Sequence, residues 1–160
     1  MSMSKPQRIS LFILRIVTGW FYFYAGITKV LNPKFSAAGY IKGSTRFVDL
    51  YQWFLSPQVL PVIDFMVKWG LTFLGLSLIF GLFVRLSSYL GMLLMFLFYL
   101  PVLNFPLVGA HSYIVDEHII YIFGLFALAS FRAGHVWGLE KWCYNLPICA
   151  KYPKLRALLG

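Results

Sequence analysis

Residues 14–29 read LRIVTGWFYFYAGITK, and this stretch decides the fold class. It lies in an apolar run over residues 9–31, long enough for one transmembrane helix, since a bilayer core about 30 Å thick takes about 20 residues. Arg15, Gly19, Tyr22, Gly26 and Lys29 recur within it at helical spacing and form one stripe. Because glycines let a neighbouring backbone approach closely, we predict that this stripe faces protein rather than lipid.

The composition of the whole chain is that of a membrane protein. Hydrophobic residues make up 60% of the 160 residues and charged residues 12%, against roughly 45–50% and 25% in soluble domains. A soluble domain of this length leaves much of its surface exposed and cannot hide so much apolar area. The composition therefore argues against a soluble enzyme, a disordered tail and a disulfide-stapled secreted domain, and it predicts an integral membrane protein.

Three further apolar runs, at residues 61–84, 86–105 and 113–131, also have the length of a transmembrane helix. We therefore predict an all-α membrane protein, built as an up-down-up-down bundle of four transmembrane helices in the lipid bilayer. These helices form one domain over residues 1–135. Residues 136–160 are expected to form a basic cytoplasmic tail at the membrane interface.

The loop after the first helix carries a second helical pattern. Phe47, Leu50, Tyr51 and Phe54 recur at i, i+3, i+4 and i+7. This spacing predicts an outer, interfacial amphipathic helix over residues 44–55, and Ser44 or Thr45 is available as its N-cap.

The distribution of basic residues predicts the orientation of the chain. The formal net charge is +9, but the 14 Lys and Arg are scattered between apolar runs, so no nucleic-acid partner is expected. Eight lie in the N-terminus, the second-to-third turn and the tail, three in the other loops and three within the spans. By the positive-inside rule, both termini are expected in the cytoplasm of a multi-pass plasma-membrane protein.

Ionisable side chains inside a membrane are costly unless they are paired or hydrated, so each one needs a partner. Arg15, near the cytoplasmic end of its helix, could snorkel to the interface. The other polar residues are expected at one depth near the outer ends of the four helices, with Asn104 just beyond a kink at Pro101. These residues are Lys29, Asp64, Lys68, Asn104, Asp116, Glu117 and His118.

Two interpretations of this cluster stay open. In the first it is a structural polar network, in which Asp64 and Lys68 form an i, i+4 ion pair and Arg15 is also structural. In the second it is a quinone pocket lined by aromatic side chains, in which donors bind the quinone carbonyls and carboxylates exchange protons. The second interpretation assigns catalytic roles to Lys29, Asp116, Glu117 and His118, and quinone binding to Tyr22, Lys29, Asn104 and His118.

Other cofactors are not expected. Asp116, Glu117 and His118 are consecutive, so they point around the helix and cannot bind one metal ion together, and His111 could join His118 only if the helix extended upward. The sequence has no nucleotide-binding glycine motif, no cysteine cluster for iron–sulfur and no histidine pair placed for haem. Cys143 and Cys149 have neither CxxC nor zinc spacing.

The first helix carries the pattern Arg-x3-Gly-Trp-x4-Ala-Gly-x2-Lys from Arg15 to Lys29. This pattern resembles the DoxX/DoxD family of small four-helix membrane proteins. The continuation, residues 36–40 and Trp53-Phe54, is more similar to the DoxD branch, the small membrane subunit of thiosulfate:quinone oxidoreductase. The resemblance implies a membrane subunit that passes electrons from a thiosulfate-like sulfur compound or thiol to membrane quinone.

Three functions therefore remain as alternatives. The leading one is the quinone-linked oxidoreductase subunit, and whether the chain is itself an enzyme stays open. The second is a non-catalytic anchor or scaffold for a soluble redox partner or second subunit. The third, transport of protons or small solutes, needs a polar route through both leaflets, which the apolar cytoplasmic halves of the spans disfavour. A homo-oligomer is compatible with all three.

Overall fold

The computed structural model describes residues 3–44, 46–109 and 112–144. Within these ranges the chain is mostly helical. A short antiparallel hairpin, β1 (Leu107–Gly109) and β2 (Ser112–Tyr113), precedes the sixth helix, and a 3-10 turn (Ala133–His135) follows it. The helices are α1 (Lys5–Leu31), α2 (Ala38–Lys42), α3 (Val48–Phe54), α4 (Leu60–Phe80), α5 (Val84–Val102), α6 (Glu117–Ser130) and α7 (Glu140–Tyr144).

Three helices, α1, α4 and α5, are long and apolar enough to cross a membrane. Their 27, 21 and 19 residues correspond to about 40, 32 and 29 Å, against about 30 Å for a bilayer core. The prediction of a helical membrane protein is therefore confirmed, with three of its four spans. The fourth, α6, has 14 residues and is about 21 Å long.

The fourth apolar run is not helical over its whole predicted length, because a carboxylate caps the helix at a point inside the run. Asp116 accepts hydrogen bonds from the backbone N–H groups of His118 at 3.0 Å and Ile119 at 3.3 Å, which fixes the start of α6. Tyr113, predicted to be helical, pairs with β1 instead. Hydropathy alone does not distinguish an apolar strand from an apolar helix.

The packing of α1 on α4 confirms the predicted buried stripe. Arg15, Gly19, Tyr22 and Gly26 are all buried. A Cβ atom on Gly26 would lie 2.4 Å from the backbone nitrogen of Thr72, so the two backbones touch. Because Gly19 lies against Leu78 and Gly26 against Thr72, the two helices run antiparallel.

The core lies between the two helix pairs, α1 with α4 and α5 with α6. It is built around Tyr22, Leu78, Leu125 and Leu128, each fully buried. Many large apolar side chains point outward, including Trp20, Phe73, Phe123 and Phe126. Such a surface is unfavourable in water, and with the three long apolar helices it indicates a lipid environment.

The ends of α4 and α5 lie before the predicted ones. α4 ends at Phe80 because Gly81 adopts the left-handed conformation, with φ of 65°, that ends many helices. α5 ends at Val102 rather than at residue 105, with Pro101 in its last turn.

The loop helix is shorter than its prediction and begins differently. Its N-cap is Phe47, in the left-handed conformation and without a side-chain capping bond, so Ser44 is not the cap; Thr45 lies outside the described residues. Tyr51 is buried as the pattern predicts, but Phe47 is 58% exposed. The preceding helix α2 was missed because five residues are too few to show a period.

The close contact of α1 with α4 gives a first prediction. In Gly75→Ala the new Cβ would lie 2.2 Å from the backbone nitrogen of Phe23, so the helices must move apart. We expect a loss of about 1–3 kcal/mol in the free energy of unfolding, as for other overpacked cores. Thermal unfolding in detergent measures the loss. Gly124→Ala, where the new Cβ meets open space, is the matched control, and equal stability of the two variants would contradict this packing.

Candidate functional site

A cavity of about 440 Å³ lies at the end of the bundle that carries Lys29, which we call the Lys29 end. α1, α4 and α5 form its walls, and α2 and α3 cover it. We call it the Lys29 cavity. Its lining residues are Lys29, Phe35, Ser36, Ala37, Tyr40, Ile41, Tyr51, Phe54, Ile63, Met66, Val67, Leu94, Leu97 and Phe98.

Two tyrosines fasten the cover of the Lys29 cavity to α5. The hydroxyl of Tyr51 donates to the carbonyl oxygen of Leu97 at 2.7 Å, and the hydroxyl of Tyr40 donates to that of Phe98. Burial, with smaller effects of nearby negative charge, raises the pKa of Tyr40 to about 12, and burial also raises the pKa of Tyr51. Both hydroxyls therefore stay protonated and keep donating at neutral pH.

Asp64 fastens the loop between α1 and α2 to α4. Its Oδ1 accepts from the backbone N–H of Ala37 at 2.6 Å and from the hydroxyl of Ser36 at 3.4 Å. The predicted ion pair of Asp64 with Lys68 is not formed among the described residues. The carboxylate satisfies backbone and hydroxyl donors instead, and so positions two residues of the cavity wall.

Lys29 is the one charged residue in the lining of this cavity. Its Nζ donates to the carbonyl oxygen of Ala25 at 2.8 Å and lies 5.7 Å from the ring centre of Phe35. Nζ of Lys68 lies 5.6 Å from the same ring centre, so both cations contact one aromatic side chain. In the described part of the chain, neither lysine has a carboxylate partner within 4.0 Å.

An ammonium group carries three donors, and Ala25 accepts one of them. The remaining donors of Lys29 are therefore available to a ligand. The surrounding lining is almost entirely apolar and aromatic. This arrangement suits a flat, mostly apolar ligand with an exposed oxygen acceptor.

The predicted fourth-helix residues form a separate cluster next to this cavity. Nδ1 of His118 lies 2.6 Å from Oδ2 of Asp116, within hydrogen-bond distance. The ring of His118 packs edge-on against Phe98, with 6.5 Å between ring centres, so Phe98 stands between this pair and the cavity. Glu117 is exposed.

Of the four residues predicted to bind quinone, Lys29 lines the cavity, and Tyr22, Asn104 and His118 do not. Tyr22 is fully buried and packs 6.0 Å from Tyr121 between ring centres. Asn104 is exposed and forms a backbone bridge with Leu107. In the described ranges no three His, Cys, Asp or Glu residues are placed to bind one metal ion.

A second polar site lies at the opposite end of the bundle, which we call the Arg15 end. Arg15 is 1% exposed, so it does not snorkel to the interface as its position near the helix end allowed. Its guanidinium donates to the backbone oxygens of Ala133 at 2.8 Å and Trp137 at 3.3 Å. The segment after α6 supplies these acceptors inside the fold, so the guanidinium has no need to reach the interface.

Glu140 completes this second site, and its side chain is also 1% exposed. Its carboxylate accepts from the backbone N–H of Val84 at 3.3 Å. Burial raises the pKa of Glu140 to about 7, against the lowering effects of the Val84 bond and the Arg15 charge. A Cβ on Gly134 would lie 1.7 Å from the carboxylate, so glycine is required there.

The predicted tail is therefore partly folded into the protein. The backbone N–H groups of Leu139 and Glu140 donate to the carbonyl oxygens of Phe80 at 3.0 Å and Gly81 at 2.9 Å. These bonds hold the segment against the turn between α4 and α5. Residues 145–160, which include Cys149, lie outside the described residues, as do His111 and the side chain of Cys143.

Sequence reasoning missed that Arg15 and Glu140 lie at one site, although the sequence contained a signal for it. A buried arginine needs acceptors, and Glu140 is the one acidic residue assigned by sequence to the same side as Arg15. The two are 125 positions apart, and no local pattern links them. The covering role of α2 was missed as well.

The fold and its polar sites define a small helical membrane protein with one lysine in an apolar cavity. The family model that matches the sequence is DoxX, over residues 10–103. This match covers more than half of the chain, and the chain belongs to the DoxX family. The predicted family is thereby confirmed. No curated protein and no solved structure shows significant similarity to the sequence.

The buried carboxyl of Glu140 gives a second prediction. Because its pKa is about 7 in the folded protein and 4.5 is its ordinary value, the folded state binds more protons between these pH values. The contribution of this carboxyl to the free energy of unfolding is fully present below about pH 4.5 and is lost as the pH rises through about 7. We expect the midpoint of thermal unfolding to change less with pH in Glu140→Gln than in the parent protein across this window.

Glu117→Gln changes an exposed carboxyl and is the matched control for this experiment. It should keep the pH dependence of the parent protein. A Glu140→Gln variant with the same slope as the parent would contradict the burial of a titrating carboxyl at the Arg15 end.

Proposed function

We propose that the protein is a membrane subunit of a quinone-linked oxidoreductase and that the Lys29 cavity holds the quinone head group. The electrons would come from a sulfur compound or thiol donor of the thiosulfate kind. The observation that carries the proposal is the Lys29 ammonium, with donors that the described residues leave unused, in an aromatic and apolar cavity.

Lys29 has the right chemistry to act on a quinone carbonyl. Reduction places negative charge on the quinone oxygens, and a fixed cation in apolar surroundings stabilises that charge more strongly than water does. The ammonium is already held by Ala25, so little reorganisation is needed. Phe35 and Phe98 offer ring faces or edges to a flat ligand.

The pair of Asp116 and His118 is proposed to supply protons. A quinone takes up two electrons and two protons to become a quinol, so the cavity needs a route to water. The pair lies behind Phe98, and the exposed Glu117 stands beside it on the chain. In this proposal Asp116, Glu117 and His118 transfer protons at the edge of the cavity and do not contact the quinone. Lys29 binds the quinone ring.

The cavity is poorly suited to thiosulfate itself. A small hydrated dianion would have to give up its water for one ammonium and apolar walls, which is unfavourable. We therefore place the reaction with the donor outside this cavity, on a second subunit or soluble redox partner. The chain would then bind quinone and receive electrons.

For the membrane topology we propose four crossings. α6 packs along α5, and the hairpin that precedes it supplies length that α6 lacks. Both termini would lie in the cytoplasm of a plasma-membrane protein, according to the distribution of Lys and Arg. The Lys29 end would then face outward, with α2 and α3 at the outer interface.

A substitution of the lysine tests the head-group site. Lys29→Ala removes a charged donor, typically worth about 1.5–3 kcal/mol, and should weaken quinone binding about ten- to hundredfold. It should also abolish donor-dependent quinone reduction. Equilibrium binding of a tail-less dimethoxy-methyl-benzoquinone to protein in lipid nanodiscs measures the first effect.

Lys34→Ala is the matched control, since Lys34 is an exposed lysine near the same end that does not line the cavity. It should bind quinone as the parent protein does. Equal affinity of Lys29→Ala and the parent would reject the head-group site. Binding without reduction would show a quinone-docking subunit that needs its redox partner.

A further inference from the structure

A second apolar cavity, of about 480 Å³, lies between α4 and α5. It adjoins the Lys29 cavity, because Met66, Leu94 and Leu97 line both. The two cavities therefore lie side by side and share part of their walls. We call the second cavity the α4–α5 groove.

The groove has a defined far end. From Met66 to Ser77 it follows twelve residues of α4, or about 16 Å along the helix axis. There the hydroxyls of Ser77 and Ser87 lie 2.6 Å apart and bridge the two helices, and Ser77 also bonds the carbonyl oxygen of Leu82 at 2.5 Å. Between these ends the lining is almost entirely leucine, phenylalanine and methionine.

The groove follows from how the helices pair. α4 packs mainly on α1 and α5 packs mainly on α6, so α4 and α5 touch each other much less. Gly70 lines the groove, and a Cβ placed on it would meet no atom within 4 Å. The groove thus results from the limited packing between α4 and α5 and from the absence of a side chain on Gly70.

We propose that the α4–α5 groove binds the isoprenoid tail of the quinone whose head group occupies the Lys29 cavity. This inference rests on the proposed function and assigns the tail of the same ligand to a second cavity. A ring with one carbonyl at Lys29 can direct its substituent past Met66, Leu94 and Leu97 into the groove. The groove is open along the bilayer, so a longer tail continues into lipid.

A phospholipid fits the same space less well. Its acyl chain could enter the groove, but its charged head group would then meet the apolar walls and the single ammonium of the Lys29 cavity. A quinone ring matches those walls, and its chain matches the groove. The shared wall of the two cavities therefore favours one ligand with an aromatic head in the first and an apolar tail in the second.

The test compares quinones of equal head group and increasing tail length, from no isoprene unit to three, in nanodiscs of one lipid composition. Gly70→Leu places a side chain in the groove at a position where its Cβ meets no atom within 4 Å. Gly124→Leu, whose Cβ also meets open space but which lines neither cavity, is the matched control. Because all nanodiscs have the same lipid composition, each quinone partitions into the lipid equally in every sample. The ratio of variant to parent affinity therefore does not depend on this partitioning.

In the parent and in Gly124→Leu, we expect affinity to rise about three- to tenfold with tail length. The gain is modest because lipid is as apolar as the groove, so that only packing contacts favour the bound tail. Gly70→Leu should remove this gain and leave tail-less quinone binding within about twofold of the parent.

Two results would overturn the tail site alone. Tail-less quinone could bind and depend on Lys29 while tail length has no effect in the parent, or the gain with length could persist in Gly70→Leu. In both cases the head-group site stands. If no quinone of any tail length binds the parent protein, the proposed function and the tail site both fail.

Discussion

The contact between α1 and α4 is the constraint on which the other features depend. Gly26 on α1 and Gly75 on α4 leave room for the facing backbone at Thr72 and Phe23, so the helices pack without intervening side chains. This contact places Lys29 and Arg15 at opposite ends of one buried stripe. Because α4 packs mainly on α1, it has little contact with α5, whose main partner is α6. The two cavities lie where those helix pairs diverge.

The two ends of the stripe satisfy their charges in different ways. At the Arg15 end, the chain folds back to bring carbonyl oxygens to a guanidinium that is almost fully buried, and the Arg15 charge acts on the nearby carboxyl of Glu140. At the Lys29 end, one carbonyl oxygen and an aromatic ring meet the ammonium, which keeps donors for a ligand. The first arrangement is typical of a structural site, whereas the second is typical of a binding site.

The sequence was sufficient for features that follow from local spacing. The stripe of α1, the three long spans and the family could all be predicted, because helical period and hydropathy act over neighbouring residues. Features that depend on long-range contacts could not. The structural interpretation paired Asp64 with Lys68, whereas Asp64 bonds the α1–α2 loop, and the charge of Arg15 acts on Glu140 from far along the chain. The start of α6 moved because Asp116 caps it.

The central claim is that a quinone head group binds beside Lys29, and photolabelling with an azido-quinone in nanodiscs tests it most directly. Peptide mapping by mass spectrometry should find the label on residues 35–41 and 94–98, and excess unlabelled quinone should prevent it. Label spread over lipid-facing residues such as Trp20, Phe123 and Phe126, without competition by unlabelled quinone, would contradict the claim.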